Sequence, residues 1–195
     1  MTTRGKDRDR LIDSFVQYIN ACGLDPLPAE QVPRELREDS DGDPECAEWR
    51  IRAVSPNPWI DTLCAKLEPN RFPQLYLSWI FRYRFAEFEV GPIRFFANTG
   101  QSIFHELSSC IFQDQHMSPV LLEQGLLQFG QPDTAIYDPV CFDMKRAKRA
   151  DAPIVVIDHE DILSRDRKGR ILEEIAPSFR NFVERTLAGE FNPAE

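Results

Sequence analysis

Two apolar segments in the second half of the chain carry the clearest pattern of hydrophobic and polar positions. They cover residues 135–143 and 152–160, and acidic residues stand at the end of each segment. Short, bounded runs rich in β-branched residues predict strands of a buried sheet, with the basic residues 145–149 as their connection. Because Ile154–Ile157 shows no polar alternation, we expect this strand to be central and buried on both faces.

Helical spacing of apolar residues appears near both ends of the chain. The N-terminal series is Leu11, Ile12, Phe15, Val16 and Ile19, and the C-terminal series is Phe179, Phe182, Val183 and Leu187. A period near 3.6 residues predicts two amphipathic helices, each packed by one face. Gly23 supplies the end of the first helix, and Pro177 precedes the second.

Prolines mark three further helix starts in the middle of the chain. Pro58 and Pro73 each precede an apolar helical pattern, and proline suits the first helical turn because its missing N–H is not needed there. The Ser-Pro pair at residues 118–119 predicts a third, capped helix. Alternation predicts a strand over residues 49–54, and residues 92–97 show another strand pattern closed by a turn.

These elements together predict an α+β fold. Four or five strands are interspersed with helices without the regular alternation of a parallel βαβ fold, so we expect a mixed or antiparallel central sheet of four to six strands packed by helices. At 195 residues the chain suits one folded unit. Within it, we predict an N-terminal helix and a Pro- and Asp-rich loop over residues 1–45, and the α+β domain over residues 46–195.

The charge of the chain narrows the range of its partners. The formal net charge of -9 disfavours nucleic acid and anionic membrane surfaces, because phosphate contacts need a basic surface. An acidic protein more readily meets a basic protein partner. The charged N-terminal residues precede no apolar signal segment, and no apolar run has the length of a membrane span, so we expect a cytoplasmic protein. The sequence leaves the oligomeric state open.

The sequence predicts no metal or other cofactor. Its five cysteines contain no CxxC pair and its three histidines are widely separated, which argues against a clustered zinc site. The acidic loop at residues 39–44 has Pro44 and Arg50 where a calcium loop needs glycine and glutamate. Residues 158–161 contain an Asp-His-Glu-Asp run, but consecutive strand residues point to opposite faces, so we expect that they cannot converge on one ion.

Motifs for nucleophilic catalysis or phosphate binding are missing from the sequence. It contains no GxSxG, GxxxxGK[ST] or GxGxxG pattern. One enzymatic alternative is a hydrolase that uses carboxylates near Asp138, Asp143 and Asp158, with His159 as the base. This alternative requires a concave pocket in which His159 and two carboxylates lie within hydrogen-bond reach of a common point.

A series of loosely defined motifs resembles the SMI1/KNR4 family, also called the SUKH superfamily. The motifs, in order, are RFPQLY at residues 71–76, a glycine-led strand, YDPVCFD at 137–143, PIVVIDHE at 153–160 and APSFRNF at 176–182. The resemblance covers residues 72–187, and the order and spacing of the motifs carry it. Residues 83–90 depart from the family pattern because they are longer than the turn expected after the first helix, and the N-terminal addition is a second departure.

The resemblance implies an α+β domain whose sheet is packed by helices and which has no known catalytic residues. It also implies a noncatalytic protein-binding module, such as a bacterial immunity protein that binds and neutralises a toxin. Other members are regulatory adaptors. An acidic inhibitor suits a basic nuclease toxin domain, because complementary charge speeds encounter and mimics phosphate. Immunity protein, adaptor and hydrolase are therefore the three alternatives.

Acidic residues at strand ends form the candidate partner-binding surface. They are Asp138, Asp143, Asp158, Glu160 and Asp161, together with Glu87 and Glu89, which flank Phe88. A rim of carboxylates around an exposed aromatic residue would bind arginine or lysine side chains of a basic partner. We therefore predict that Phe88 is exposed among these acids. The alternative is that the acids are solvated strand-end residues scattered over two faces.

Overall fold

The computed structural model describes residues 3–39, 44–54, 58–100, 106–134, 137–164 and 167–193, with side chains from residue 5 onward. Its α-helices are α1 (Thr3–Cys22), α2 (Pro58–Leu67), α3 (Gln74–Arg82), α4 (Leu107–Phe112), α5 (Met117–Glu123), α6 (His159–Leu163) and α7 (Phe179–Leu187). Its strands are β1 (Leu27–Pro28), β2 (Cys46–Ala47), β3 (Arg52–Ala53), β4 (Tyr83–Arg84), β5 (Phe88–Val90), β6 (Ile93–Phe95), β7 (Leu126–Pro132), β8 (Val140–Asp143), β9 (Ile154–Ile157) and β10 (Ile171–Ala176). None of these described helices is both long enough and apolar enough to cross a membrane.

Six strands form one antiparallel sheet in the order β10-β9-β8-β7-β6-β5. Each strand therefore lies beside its neighbour in the sequence, and the connections are hairpins or short helical segments. The prediction of an α+β fold with an antiparallel sheet of four to six strands packed by helices is confirmed. Two short ladders, β1 with β2 and β3 with β4, lie outside this sheet.

Helices cover both faces of the sheet. On one face, α1, α3 and α7 pack against one another over a large core that includes Trp79. On the other face, α5 and α6 contribute to a smaller apolar cluster. Ile154 and Val156 of β9 belong to the large core. Val155 and Ile157 belong to the smaller cluster, so all four residues are buried and the predicted burial on both faces is confirmed. The predicted central position is wrong, because β9 is the second strand from the edge and only β10 lies outside it.

Helix α1 contributes directly to the large core. Its apolar face, spaced as the sequence predicts, is buried, and the Phe15 ring lies 5.4 Å from Trp79 and 6.5 Å from Phe179 between ring centroids. Gly23 follows the helix with a φ of +88°, a left-handed conformation that glycine adopts without steric cost. The N-terminal helix therefore shares one hydrophobic cluster with α3 and α7.

Two local predictions need correction. Residues 49–54 alternate between buried and exposed positions near the start, but only β3 within them forms a ladder, because its partner β4 is equally short. The cap of α5 is Asp114, whose Oδ1 accepts hydrogen bonds at 2.8 Å from the N–H groups of both His116 and Met117. Ser118, the predicted cap, lies inside the helix and is buried. An aspartate outside the helix reaches the unpaired N–H groups better than a serine within it.

Candidate protein-binding surface

The structure divides the predicted partner-binding residues among three places. Glu87, Phe88 and Glu89 lie at β5, the outermost strand on one side of the sheet. Asp143 ends β8 beside the start of β9. The remaining residues meet at the opposite end of these two antiparallel strands, and they are Asp138, Asp158, Glu160 and Asp161. The structure therefore does not join all eight residues into one rim.

Asp143 has a structural role at the end of β8. Its Oδ1 accepts hydrogen bonds from the N–H groups of Lys145 and Arg146 at 3.2 and 3.3 Å, and its Oδ2 accepts one from Arg146 Nε at 2.6 Å. The residue is buried. These contacts start the short 3-10 turn Met144–Arg146 and engage both carboxylate oxygens within the chain.

Asp138, Asp158 and His159 form a cluster where β9 gives way to α6. Asp138 Oδ1 lies 3.0 Å from the backbone N of His159 and 2.6 Å from its Nδ1. One potential metal-ligand atom from each of the three residues lies within 4.8 Å of the other two. The expectation that Asp158 and His159 point to opposite faces is wrong, because β9 ends at Ile157 and His159 already begins a helix.

This cluster satisfies much of its hydrogen-bonding capacity internally. Asp158 Oδ1 accepts hydrogen bonds from two N–H groups of α6 at 3.0 and 3.4 Å. Arg170 bridges Asp158 and Asp161 at 2.6 and 3.1 Å, and this guanidinium lowers the pKa of Asp158 below its ordinary value. A metal ion held by Asp138, Asp158 and His159 would have to compete with Arg170. The hydrogen bond that His159 Nδ1–H donates to Asp138 orients Nε2 away from the carboxylate, as in an Asp–His pair that acts as a base.

An open groove lies beside β5 at the C-terminal end of α1. It consists of a cavity of about 250 Å³ and an adjoining cavity of about 90 Å³, and both are lined by Gly23 and Leu24. Arg50 is the one cation among the described residues that line it. We call it the acidic groove, because five acidic residues line it: Asp25, Glu38, Glu48, Glu87 and Glu89.

Phe88 forms the floor of the acidic groove. It is 6% exposed, so the prediction of an exposed aromatic residue here is wrong. Successive side chains of a strand point to opposite faces, and Phe88 points inward while its two acidic neighbours are half-buried at the surface. Its ring centroid lies 6.3 Å from that of Trp49 and 5.3 Å from that of Phe95. The groove therefore has carboxylates above an apolar floor.

The acidic groove contains more carboxylates than arginine side chains that pair with them. Glu38 pairs with Arg50 at 2.7 Å, and Arg94 pairs with both Glu89 and Glu87, at 2.6 and 3.6 Å. Within the part of the chain that the structure describes, no ion pair involves the side chain of Asp25 or Glu48. The last turn of α1 has no basic residue, so the carbonyl groups at its C-terminal end add partial negative charge. This combination favours a cationic side chain as the occupant.

Asp25, Glu38 and Glu48 reach the groove only through the folding of the chain. They lie in or beside the Pro- and Asp-rich loop, where no periodicity or motif distinguishes them from the other acidic residues. A usable signal is the combination of a helix that lacks a basic last turn with the acid-rich segment that follows it. The rejected calcium loop at residues 39–44 lies largely outside the described residues.

Glu106 is a buried carboxyl that no sequence motif distinguishes either. It is 1% exposed, and its carboxylate accepts hydrogen bonds from the N–H and hydroxyl of Thr99 at 3.1 and 2.8 Å and from the N–H of Gly100 at 3.1 Å. Burial raises the pKa of Glu106 to about 7, although these hydrogen bonds act in the opposite direction. The contacts hold the turn that follows β6, which is a structural role.

Comparisons with known proteins leave the family open. A scan of protein-family models finds no match to this chain, and searches of curated proteins and of solved structures likewise find none. The SMI1/KNR4 resemblance therefore depends on the order and spacing of the sequence motifs. Helices packed on an antiparallel sheet agree with the architecture that the resemblance implies, but an architecture alone does not assign a function.

Proposed function

We propose that the protein is a noncatalytic protein-binding module that binds a basic partner in the acidic groove. The observation that carries this proposal is the concentration of five carboxylates around an apolar floor beside β5. An arginine or lysine side chain of the partner would pair with the carboxylates and pack its methylene groups along the floor. The excess of acidic charge would also raise the rate of encounter with a basic protein.

The SMI1/KNR4 resemblance supports a narrower form of this proposal. In that form the protein is an immunity protein that neutralises a bacterial toxin in the cytoplasm. A toxin domain that acts on nucleic acid needs a basic surface to contact phosphates, and a groove of carboxylates can occupy such a surface. A regulatory adaptor of the same fold would use the groove in the same way but would bind a partner that is not toxic.

Affinity capture from the native host tests the groove. Three baits are compared by quantitative mass spectrometry: the wild type, the groove variant Asp25→Asn/Glu48→Gln/Glu89→Gln, and the matched control Asp61→Asn/Glu123→Gln/Glu173→Gln. The control removes the same charges from exposed positions outside the groove. We expect the wild type and the control to enrich a basic protein that the groove variant does not retain. Equal enrichment by all three baits would contradict the proposal.

Growth protection separates the immunity protein from the adaptor. The captured protein is expressed in a bacterial host together with the wild type, the groove variant or the matched control. An immunity protein predicts that the captured protein arrests growth, that the wild type and the control restore growth, and that the groove variant does not. A captured protein that leaves growth unchanged when it is expressed alone favours the adaptor.

The Asp138–His159 pair favours a hydrolase as the second candidate. The 2.6 Å contact fixes the imidazole as a general base would require. None of the cavities described above is lined by Asp138, Asp158 or His159. Hydrolysis of p-nitrophenyl acetate distinguishes the candidates, because a hydrolase predicts a rate above buffer that both His159→Gln and Asp138→Asn abolish. The binding-module proposal predicts the same rate for the wild type and both variants.

A further inference from the structure

Exposed apolar side chains gather at one end of the β10 edge. Among the described residues, the large hydrophobic side chains with high exposure are Tyr137, Leu163, Ile171 and Leu172, at 65%, 57%, 42% and 48%. Single apolar residues scattered over a surface are normal, whereas a cluster of them marks an interaction site. These four come from three separate stretches of the chain, so the fold itself brings them to one place.

Tyr137, Leu163 and Ile171 are each placed near His159, and Leu172 follows Ile171 in the sequence. The ring centroid of Tyr137 lies 5.6 Å from that of His159. His159 and Leu163 are the first and last residues of α6, and residues four apart share a helix face. Ile171 is paired across the sheet with Ile157, which precedes His159 by two residues. The apolar side chains therefore surround one corner of the sheet.

The outer side of β10 is open along its first four residues. β10 is the last strand of the sheet, and the described chain places no further strand beside it. Residues 171–174 are all exposed, and two bulges interrupt the pairing of β10 with β9. Bulges disfavour the extension of a sheet by a further strand. A partner on this edge is therefore held by side chains and not by a long ladder of backbone hydrogen bonds.

The charges along this edge are ordered by sign. Residues 167–170 contain three basic side chains, Ile171 and Leu172 follow, and Glu173 and Glu174 come next. Arg170 already bridges Asp158 and Asp161, and Glu174 pairs with Arg146, so the charges that remain for a second copy are those of Arg167, Lys168 and Glu173. When two copies of such a segment run antiparallel, the basic half of each copy faces the acidic half of the other. The apolar pairs meet between them. A two-fold interface uses the same patch on both subunits and so requires this self-complementarity.

We propose that the β10 edge surface, formed by residues 167–174 with Tyr137 and Leu163, is a two-fold interface between two copies of this chain. The apolar side chains are buried away from water at the centre of the interface, and this burial supplies the driving force for association. Charge pairs at its two ends fix the antiparallel orientation. The acidic groove lies at the opposite edge of the sheet, so each copy keeps its groove accessible. The proposal does not depend on the proposed function.

A charge-swap experiment tests this interface by sedimentation equilibrium. Glu173→Lys/Glu174→Lys makes the edge basic throughout, and Arg167→Glu/Lys168→Glu makes it predominantly acidic. We expect the wild type to form a dimer at concentrations up to roughly 100 μM, where an association of micromolar affinity is well populated. Each variant alone is expected to dimerise at least tenfold more weakly. An equimolar mixture of the two is expected to recover the dimer, because the mixed interface again pairs opposite charges.

The matched control is Glu30→Lys/Asp61→Lys, which reverses two exposed acids outside the surface and is expected to dimerise like the wild type. Leu172→Lys places a charge at the apolar centre and is expected to be monomeric. Far-ultraviolet circular dichroism and thermal melting confirm that each variant is folded. A monomeric wild type over the whole concentration range overturns the proposal. So does a dimer that persists unchanged in the charge variants, or a mixture that fails to recover it.

Discussion

The two edges of the central sheet are built in opposite ways. At one edge, β5 is three residues long, buries both Phe88 and Val90, and is flanked by the acidic groove. At the other edge, β10 is six residues long and leaves Ile171 and Leu172 exposed between charges of both signs. The first edge has a covered apolar floor under excess negative charge. The second has uncovered apolar side chains and balanced charge.

The difference comes from what the rest of the chain places beside each edge. The segment after α1 lies along β5, where Leu24 and Leu27 help to line the groove. No described segment lies in this way along the start of β10. An edge that another segment of the chain covers can still bind a partner through the charged side chains around that segment. An open edge with apolar side chains is instead stabilised when a second surface covers it and excludes water. The two edges therefore suit different partners.

The same substitution at both edges is the strongest test of this contrast. Phe88→Asp buries an unpaired charge and removes a core aromatic ring, so we expect it to lower the free energy of unfolding by about 4 kcal/mol or more. Leu172→Asp changes an exposed residue and is expected to alter that free energy by less than about 1 kcal/mol. Urea unfolding measures both. Similar losses at the two positions would remove the distinction between a covered and an open edge.

Stability as a function of pH separates the interior from both edges. The pKa of Glu106 is about 7 in the folded protein against an ordinary value of 4.5, so the unfolded chain releases this proton first. Stability therefore falls as the pH rises from about 4.5 to about 7, by on the order of 3 kcal/mol, and this contribution stays constant above that range. The fall should be absent in Glu106→Gln when urea unfolding is repeated across the range. The lowered pKa of Asp158 acts with the opposite sign, since its contribution is lost as the pH falls.

Neutralising acids at one edge should affect partner binding at that edge alone. Glu87→Gln/Glu89→Gln is expected to weaken binding of the captured partner by tenfold or more, which corresponds to about 1.4 kcal/mol, while the melting temperature changes little. Glu173→Gln/Glu174→Gln is the matched control and is expected to leave that affinity unchanged. Lysine substitutions at these two positions are less informative because they would crowd Arg94, which pairs with both Glu87 and Glu89. Calorimetric titration gives the affinities, and equal losses for both variants would argue against a groove-specific contact.

The smallest effect concerns the ion pairs that each edge carries. Glu89 pairs with Arg94 at 2.6 Å beside the groove, and Glu174 pairs with Arg146 at 2.8 Å on β10. All four side chains are partly exposed, so a double-mutant cycle to alanine should give a coupling energy below about 1 kcal/mol for each pair. A much larger coupling at either edge would show that the ion pair, and not the apolar packing, stabilises that edge.

Much of the fold is predictable from local pattern. The unbroken run at Ile154–Ile157 indicates a strand covered on both sides, and the structure places α1, α3 and α7 on one side and α5 and α6 on the other. Prolines and helical periodicity likewise predict the starts of α2, α3 and α7. What the pattern misses is the strand order and the true cap of α5, because both depend on residues outside the element concerned.

The candidate site is less predictable, because it depends on chain segments that meet only in the fold. Alternation around Phe88 identifies Glu87 and Glu89 as surface acids, but it does not show which side of the strand is covered. Asp25 and Glu48 reach the groove through an aperiodic loop. The cluster of Asp138 and His159 forms because the backbone changes from strand to helix after Ile157. The apolar run before this position does not predict the change.

The packing of α1 against α7 has a consequence for the order in which the protein folds during synthesis. These are the first and last helices of the described chain, and Phe15 of α1 contacts Phe179 of α7. A growing chain leaves the ribosome from its N-terminal end, so the apolar face of α1 must wait until α7 has also been synthesised before it is fully covered. Until then it is exposed to chaperones or to other nascent chains. Truncation before α7 should therefore yield an aggregation-prone chain even when every strand of the sheet is present.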